Sequence, residues 1–120
     1  MAHVERFAPS PTGLLHLGHA FSALTAWDHA QSAGGTFLLR IEDTDLSRVR
    51  PEFENAIYDD LGWLGIKWPT PILRQSENIS AYSAALKMLN DMGLTYSCTC
   101  TRADIKNAVT DPVYGPDGIV

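Results

Sequence analysis

What this chain has little of narrows its possibilities before any motif is considered. It carries two cysteines in 120 residues. They stand one residue apart, at Cys98 and Cys100, which is a poor disulfide framework and favours a reducing, cytoplasmic setting. No apolar run approaches the roughly 18 residues needed to cross a bilayer, so no membrane association is expected. The start, Met1-Ala-His-Val-Glu-Arg6, lacks the basic-then-apolar order of a secretory leader. Positive charge is scarce as well: 9 Lys and Arg against 14 Asp and Glu leave a net charge of −5. That excludes a general nucleic-acid coat, because neutralising phosphates takes clustered Lys and Arg. An RNA partner would have to be gripped locally or by residues beyond position 120.

What is present reads as a globular chain. Hydrophobic residues make up 45% and charged residues 19%, enough to build one domain with a modest core. The last stretch, Asp111 to Val120, is loop-like and ends no element, so the chain reads as cut rather than finished.

The most informative stretch runs from Arg6 to His19. Val4 to Phe7 reads as a short strand. Pro9 and Pro11 then force a loop, since neither fits a central strand or a helix interior, and Gly13 tolerates a positive φ. A helix follows from about Leu17. A loop that leaves the carboxyl end of a strand and enters a helix start is where open α/β sheets bind anions. The helix start offers unpaired N–H groups and the positive end of its dipole. His16 and His19, three apart, present imidazoles to one side. Gly18 between them removes the Cβ that would keep a flat ring off the backbone. Taken alone, His16-Leu-Gly-His19 is also what two ordinary helix-face histidines look like.

Helix one is expected from Gly18 to Ala33, with the apolar part of the stripe Leu17, Phe21, Leu24 and Asp28 facing a sheet, and Gly34-Gly35 as its stop. Thr36 to Ile41 reads as a buried strand, which completes a βαβ unit of parallel strands with a right-handed crossover. Arg6 and Glu42 then lie near one another at carboxyl ends of parallel strands. A guanidinium there suits the carboxylate of a zwitterion, and a carboxylate suits its ammonium. Within Glu42-Asp-Thr-Asp45, Asp43 and Asp45 read equally well as solvated turn chemistry. Helix two begins at Pro51, carries Phe53, Ile57, Leu61 and Leu64, and stops at Gly65. Trp63 and Trp68 are expected to pack. Ile72 to Arg74 reads as a short extended segment, with Gln75-Ser76 as a turn. Helix three runs from Ile79 to Met92, with Ile79, Tyr82, Leu86 and Leu89 at helical spacing and a stop at Gly93. Leu94 to Cys100 alternates as a strand does, which points Cys98 and Cys100 the same way. Two ligands of one tetrahedral metal and two buried thiols both fit that pattern. Thr101-Arg-Ala-Asp104 makes a capping box for a short helix.

Four runs taken together, Arg6-Phe-Ala-Pro-Ser-Pro-Thr-Gly13, His16-Leu-Gly-His19, Arg40-Ile-Glu-Asp-Thr-Asp45 and Tyr96-Ser-Cys-Thr-Cys-Thr-Arg102, resemble the class I glutamyl-tRNA synthetases and their relatives over nearly all of the chain. The resemblance implies an α/β, Rossmann-type class I aminoacyl-tRNA synthetase catalytic fold. Residues 1–97 would be the amino-terminal part of the nucleotide-binding catalytic domain, and 98–120 the start of a zinc-binding insertion. It implies that His16, Gly18 and His19 bind ATP with its magnesium, His16 and His19 being the catalytic pair. Arg6, Ser10 and Glu42 would hold L-glutamate, in a pocket shaped by Phe7, Ala8 and Pro9. Arg74-Gln-Ser76 belongs to the same pattern with no role attached. A structural zinc is implied through Cys98 and Cys100, closed in those relatives by a Tyr and a Cys four residues later. Tyr114 is the only tyrosine after Cys100, and Gly118 stands where that cysteine belongs, so Tyr114 matches in part and the closing pair is expected past Val120.

The Cys-Thr-Cys-Thr-Arg run is similar to one branch of the family. That branch has no anticodon-binding domain, activates glutamate without tRNA, and places it on the queuosine base of tRNA(Asp). A discriminating glutamyl-tRNA synthetase that charges tRNA(Glu) shares all the first-site residues and stays open. So does a non-catalytic ATP- or glutamate-binding module, because the lysine-containing second phosphate signature is not among these residues. A monomer is expected.

Overall fold

The computed structural model describes residues 3–108, and the chain forms two compact units, Met1–Ser83 and Ala84–Val120. The first unit carries a sheet of three parallel strands in the order β1 (Val4–Phe7), β2 (Thr36–Ile41), β3 (Leu73–Arg74). Helix α1 (Leu17–Ser32) joins β1 to β2, and α2 (Pro51–Trp63) joins β2 to β3. The sheet is the amino-terminal portion of a Rossmann-type α/β fold, as expected. The short segment before Gln75 is a true parallel strand, pairing Leu73 and Arg74 with Arg40 and Ile41.

Two packing expectations are corrected. Strand β2 is not buried on both faces. Phe37, Leu39 and Ile41 are buried, whereas Leu38 between them is 38% exposed. The buried set shares one core with Ala23 and Ala30 of α1 and Ile57 and Leu61 of α2, so both helices cover the same face of the sheet. The face of α1 that packs is also shifted from the expected stripe, of which Leu24 packs against the core. Leu17 and Phe21 are exposed, and the buried residues are Ala23 and Ala30, seven apart and so on one line of the helix. Small side chains let the helix lie close to the sheet, and Trp27 meets the Phe37 ring edge-on with 5.7 Å between centroids. Phe21 is two residues from Ala23, about 200° around the helix, and points away.

The same geometry corrects Trp63. It lies two residues past the fully buried Leu61 and is 85% exposed, while Trp68 packs 6.2 Å from the Tyr58 ring. The return from α1 to β2 needs glycine at position 35, because a Cβ there would stand 2.4 Å from the His3 carbonyl oxygen. That close approach is where Thr36 N–H bonds the same carbonyl, at 2.9 Å.

A short 3-10 turn, Gln75–Asn78, leads into α3 (Ile79–Asp91), which begins in the first unit and ends in the second. Ile79, Tyr82, Leu86 and Leu89 follow one another at helical spacing, and all are exposed. In the second unit, α4 (Arg102–Ala108) starts at the expected capping box. Thr101 N–H donates to Asp104 Oδ2 at 2.7 Å, and Asp104 N–H donates to Thr101 Oγ1 at 3.2 Å. The run from Leu94 to Cys100 is not a strand. Alternation alone does not make one: a strand exists only where a neighbouring strand takes up its N–H and C=O groups, and among the described residues no strand lies beside this run. No described helix is long and apolar enough to cross a membrane.

Candidate active site

Prolines decide the shape of the loop between β1 and α1, and bonds to two other segments fix it. Pro11 is fully buried. The Pro9 carbonyl accepts from Glu42 N–H at 3.0 Å and the Pro11 carbonyl from Arg50 N–H at 3.1 Å. Gly13 does not use a positive φ; among the described residues the glycines that do are Gly34, Gly65 and Gly93.

The loop delivers His16 to the N-cap of α1, where the two histidines close a reciprocal capping box. Gly18 N–H donates to His16 Nδ1 at 3.1 Å, and His16 N–H donates to His19 Nδ1 at 3.2 Å. The rings lie against each other with centroids 3.8 Å apart and planes 30° apart. Since each Nδ1 accepts a hydrogen bond, the ring proton sits on Nε2 of each imidazole. Two Nε2–H donors therefore remain for an anion, beside the helix's own free N–H groups. Burial, and then repulsion from His16, hold the His19 pKa below its ordinary value. The ring that needs Gly18 bare is that of His16: a Cβ at position 18 would lie 3.0 Å from its Cε1.

A cavity of about 310 Å³ opens beside this helix start, at the lower end of the roughly 300–1,000 Å³ usual for small-molecule sites. Phe7, Ala8, Pro9 and Ser10 line it with His19, and Thr12 to Leu15 close its rim. His16 faces a smaller space of about 160 Å³, formed with Leu15 and Ala20 and with Asp60, Trp63 and Leu64 at the end of α2.

Arg6 and Glu42 occupy the face of the sheet that α1 and α2 leave open. Arg6 is exposed and pairs in register with Leu38. Glu42 stands four residues further along, roughly 13 Å at the usual rise per residue. Beside Glu42 is a charge that the sequence reading did not assign: Arg40 Nη2 forms an ion pair with Glu42 Oε1. The buried Nε of Arg40 has no hydrogen-bond partner.

The two aspartates of the acidic turn separate completely. Asp45 does local turn work, accepting from Ser47 Oγ at 2.6 Å and Arg48 Nε at 2.7 Å. Asp43 is buried and accepts from Ser76 N–H at 2.9 Å and Ser76 Oγ at 2.6 Å. Burial pushes its carboxyl up, but the Ser76 bonds and the Arg74 charge outweigh burial and hold it below the ordinary value. Arg74 in turn pairs with Glu54 of α2, whose Oε1 also accepts from Tyr58 at 2.5 Å. Burial and then the Glu54 bond push the Tyr58 pKa up to about 12. The Arg74-Gln-Ser76 tripeptide was the one sequence signal for this second layer.

Cys98 and Cys100 lie in the second unit as exposed free thiols, which overturns the reading as buried thiols. Among the described residues no three His, Cys, Asp or Glu side chains come together as a metal requires, so these two thiols do not by themselves make a zinc site. Tyr114 lies outside the described residues.

A helix start reached by a loop from the carboxyl edge of a parallel sheet is where Rossmann-type α/β folds bind their ligands. Over residues 3–111 the sequence matches the family described as tRNA synthetases class I (E and Q), catalytic domain. The chain belongs to that family. It is 56% identical over 121 residues to the glutamyl-Q tRNA(Asp) synthetase of Rhodobacter capsulatus, covering 98% of this chain and 44% of that protein. It is 51% identical over 100 residues to a glutamate–tRNA ligase of Prochlorococcus marinus, covering 83% of this chain and 21% of the ligase. Among solved structures, a glutamate tRNA ligase of Elizabethkingia meningosepticum, in complex with its amino acid, superposes with a TM-score of 0.67 at 35% identity. That match covers 88% of this chain and 22% of the ligase. The chain thus spans less than half the length of these relatives.

Proposed function

We propose that this chain carries the first half of an adenylate-forming site that activates L-glutamate with ATP, in an enzyme that places glutamate on the queuosine base of tRNA(Asp). A glutamate carboxylate oxygen attacks the α-phosphorus of ATP, the bond to the bridging oxygen breaks, and pyrophosphate leaves with that electron pair. The carboxylate is already anionic near neutral pH, so the step needs positioning and charge stabilisation rather than a protein base. In this reading His16 and His19 give their Nε2–H donors to the phosphates, with Gly18 keeping the His16 ring in place. Glu42 takes the ammonium of glutamate, Arg6 and Ser10 take carboxylate oxygens, and the backbone of Phe7 to Pro9 forms the wall. Magnesium bound with ATP would add phosphate neutralisation. Cys98 and Cys100 would supply two of four ligands of a structural zinc, a site with no part in the chemistry. The enzyme would work as a monomer in the cytoplasm.

The observation that carries this reading is the pair of tautomer-fixed imidazoles on a helix start beside a cavity walled by Phe7 to Ser10. Similarity to a glutamyl-Q tRNA(Asp) synthetase over almost the whole chain favours the queuosine acceptor. Similarity to glutamate–tRNA ligases keeps a second reading, a discriminating enzyme that charges tRNA(Glu). Exchange of labelled pyrophosphate into ATP, in the protein at the length of its relatives, separates them. Glutamate-dependent exchange without RNA is the expected result. Strict dependence on tRNA supports the second reading, and no exchange under either condition points to a binding module.

A further inference from the structure

The turn after β2 is tied down on two sides. On one, Glu42 N–H bonds the Pro9 carbonyl at 3.0 Å. On the other, the backbone ladder between β2 and β3 stops at Ile41 and Arg74. Two residues further along each segment, Asp43 and Ser76 take over where the ladder ends. Ser76 N–H reaches Asp43 Oδ1 and the Ser76 hydroxyl reaches Oδ2, so both oxygens of a carboxylate only 6% exposed are engaged. Asp45, by contrast, bonds only within its own turn. A buried carboxylate held twice by one residue makes a stiff joint, because shifting either partner leaves a charge without hydrogen bonds away from water. Glu42 sits between the two ties, and Arg40 holds its carboxylate.

We infer that the Asp43–Ser76 joint is a positioning device that fixes where Glu42 meets the substrate's ammonium group. Asp43 and Ser76 thereby govern amino-acid binding without touching the amino acid. The inference rests on the proposed reading that Glu42 takes that ammonium.

The test uses the protein at the length of its relatives and measures the KM for glutamate and for ATP separately, with the melting temperature of each variant. Ser76→Ala is expected to raise the KM for glutamate about tenfold through misplacement of Glu42. The KM for ATP should stay near the unmutated value, while the melting temperature falls because one of the two bonds to a buried carboxylate is lost. Ser76→Thr, which keeps the hydroxyl, should restore glutamate binding. Asp43→Asn, which keeps the shape and loses one acceptor, gives the same reading if the alanine variant does not fold. Equal changes in both KM values, or a melting temperature that falls while the KM for glutamate stays unchanged, would make the joint an element of the fold alone and overturn the inference. Glu42→Gln distinguishes the two levels. If it weakens glutamate binding while Ser76→Ala does not, only the joint is refuted; if it leaves glutamate binding unchanged, the reading of Glu42 falls and the inference falls with it.

Discussion

The helix start at His16 and the acidic turn at Glu42 are fastened in opposite ways. Every side-chain bond that shapes the histidine pair joins residues two or three apart. The acidic turn is held by Ser76 in one direction and by the Pro9 carbonyl in the other, so its geometry exists only once separate segments have docked. The first region is self-contained and presents donors to an anion. The second is a product of tertiary structure and presents a carboxylate to a cation. Changes at the helix start should therefore alter chemistry and spare glutamate binding, whereas changes around the turn should alter glutamate binding and, where they break the Asp43–Ser76 bonds, lower the melting temperature as well.

The largest effect that would test this contrast is at His19. His19→Ala should lower the rate of adenylate formation by about 10²–10³-fold, the usual result of removing one donor from developing charge, with glutamate binding preserved. Titration of the variant with glutamate is the check, and a matching loss of affinity would erase the distinction between the two regions. Glu42→Gln should do the reverse, raising the KM for glutamate about 10–100-fold through the loss of roughly 1.5–3 kcal/mol with little change in the rate at saturation. Gly18→Ala sharpens the comparison further. Its Cβ would press on the His16 ring at 3.0 Å, so exchange should fall about tenfold from misplacement, while the melting temperature holds because alanine favours the helix. The smallest effect belongs to Asp45. Its partners are local and it is solvated, so Asp45→Ala should leave the melting temperature nearly unchanged.

Acidity gives a separate check on the self-contained region. The His19 pKa is depressed in the folded chain, so the unfolded chain binds more protons. The stabilising contribution is fully present above the ordinary histidine value of about 6.5 and is lost as pH falls through and below it. Melting curves between pH 7.5 and 5 should show that loss, and His19→Asn should lack the His19 part of it.

The local region was also the legible one. The helix start beside His16, the stops at Gly34, Gly65 and Gly93, Pro51 at the start of α2 and the Thr101–Asp104 box are all written within a few residues of where they act, though the histidine capping box itself was not read. What escaped the sequence reading needed knowledge of distant partners. Strand β3 has two residues and exists because β2 lies alongside. Asp43 looked like any turn aspartate until Ser76 was placed against it, and Arg74 had no visible purpose without Glu54. The packed face of α1 was misread because bulky apolar residues attract attention, while close helix–sheet contact selects Ala23 and Ala30. Cys98 and Cys100 were read from alternation, a pattern that fixes direction only where a neighbouring strand exists.

The capping box has a consequence for how the histidines can take part in any reaction. Each Nδ1 lone pair is already engaged by a backbone N–H, so neither ring can accept a proton from a reactant unless it first releases the helix. That leaves both imidazoles as fixed donors and closes base catalysis to them. An acid limb in the rate profile would then record protonation at Nδ1, and it should be accompanied by the helix start coming undone.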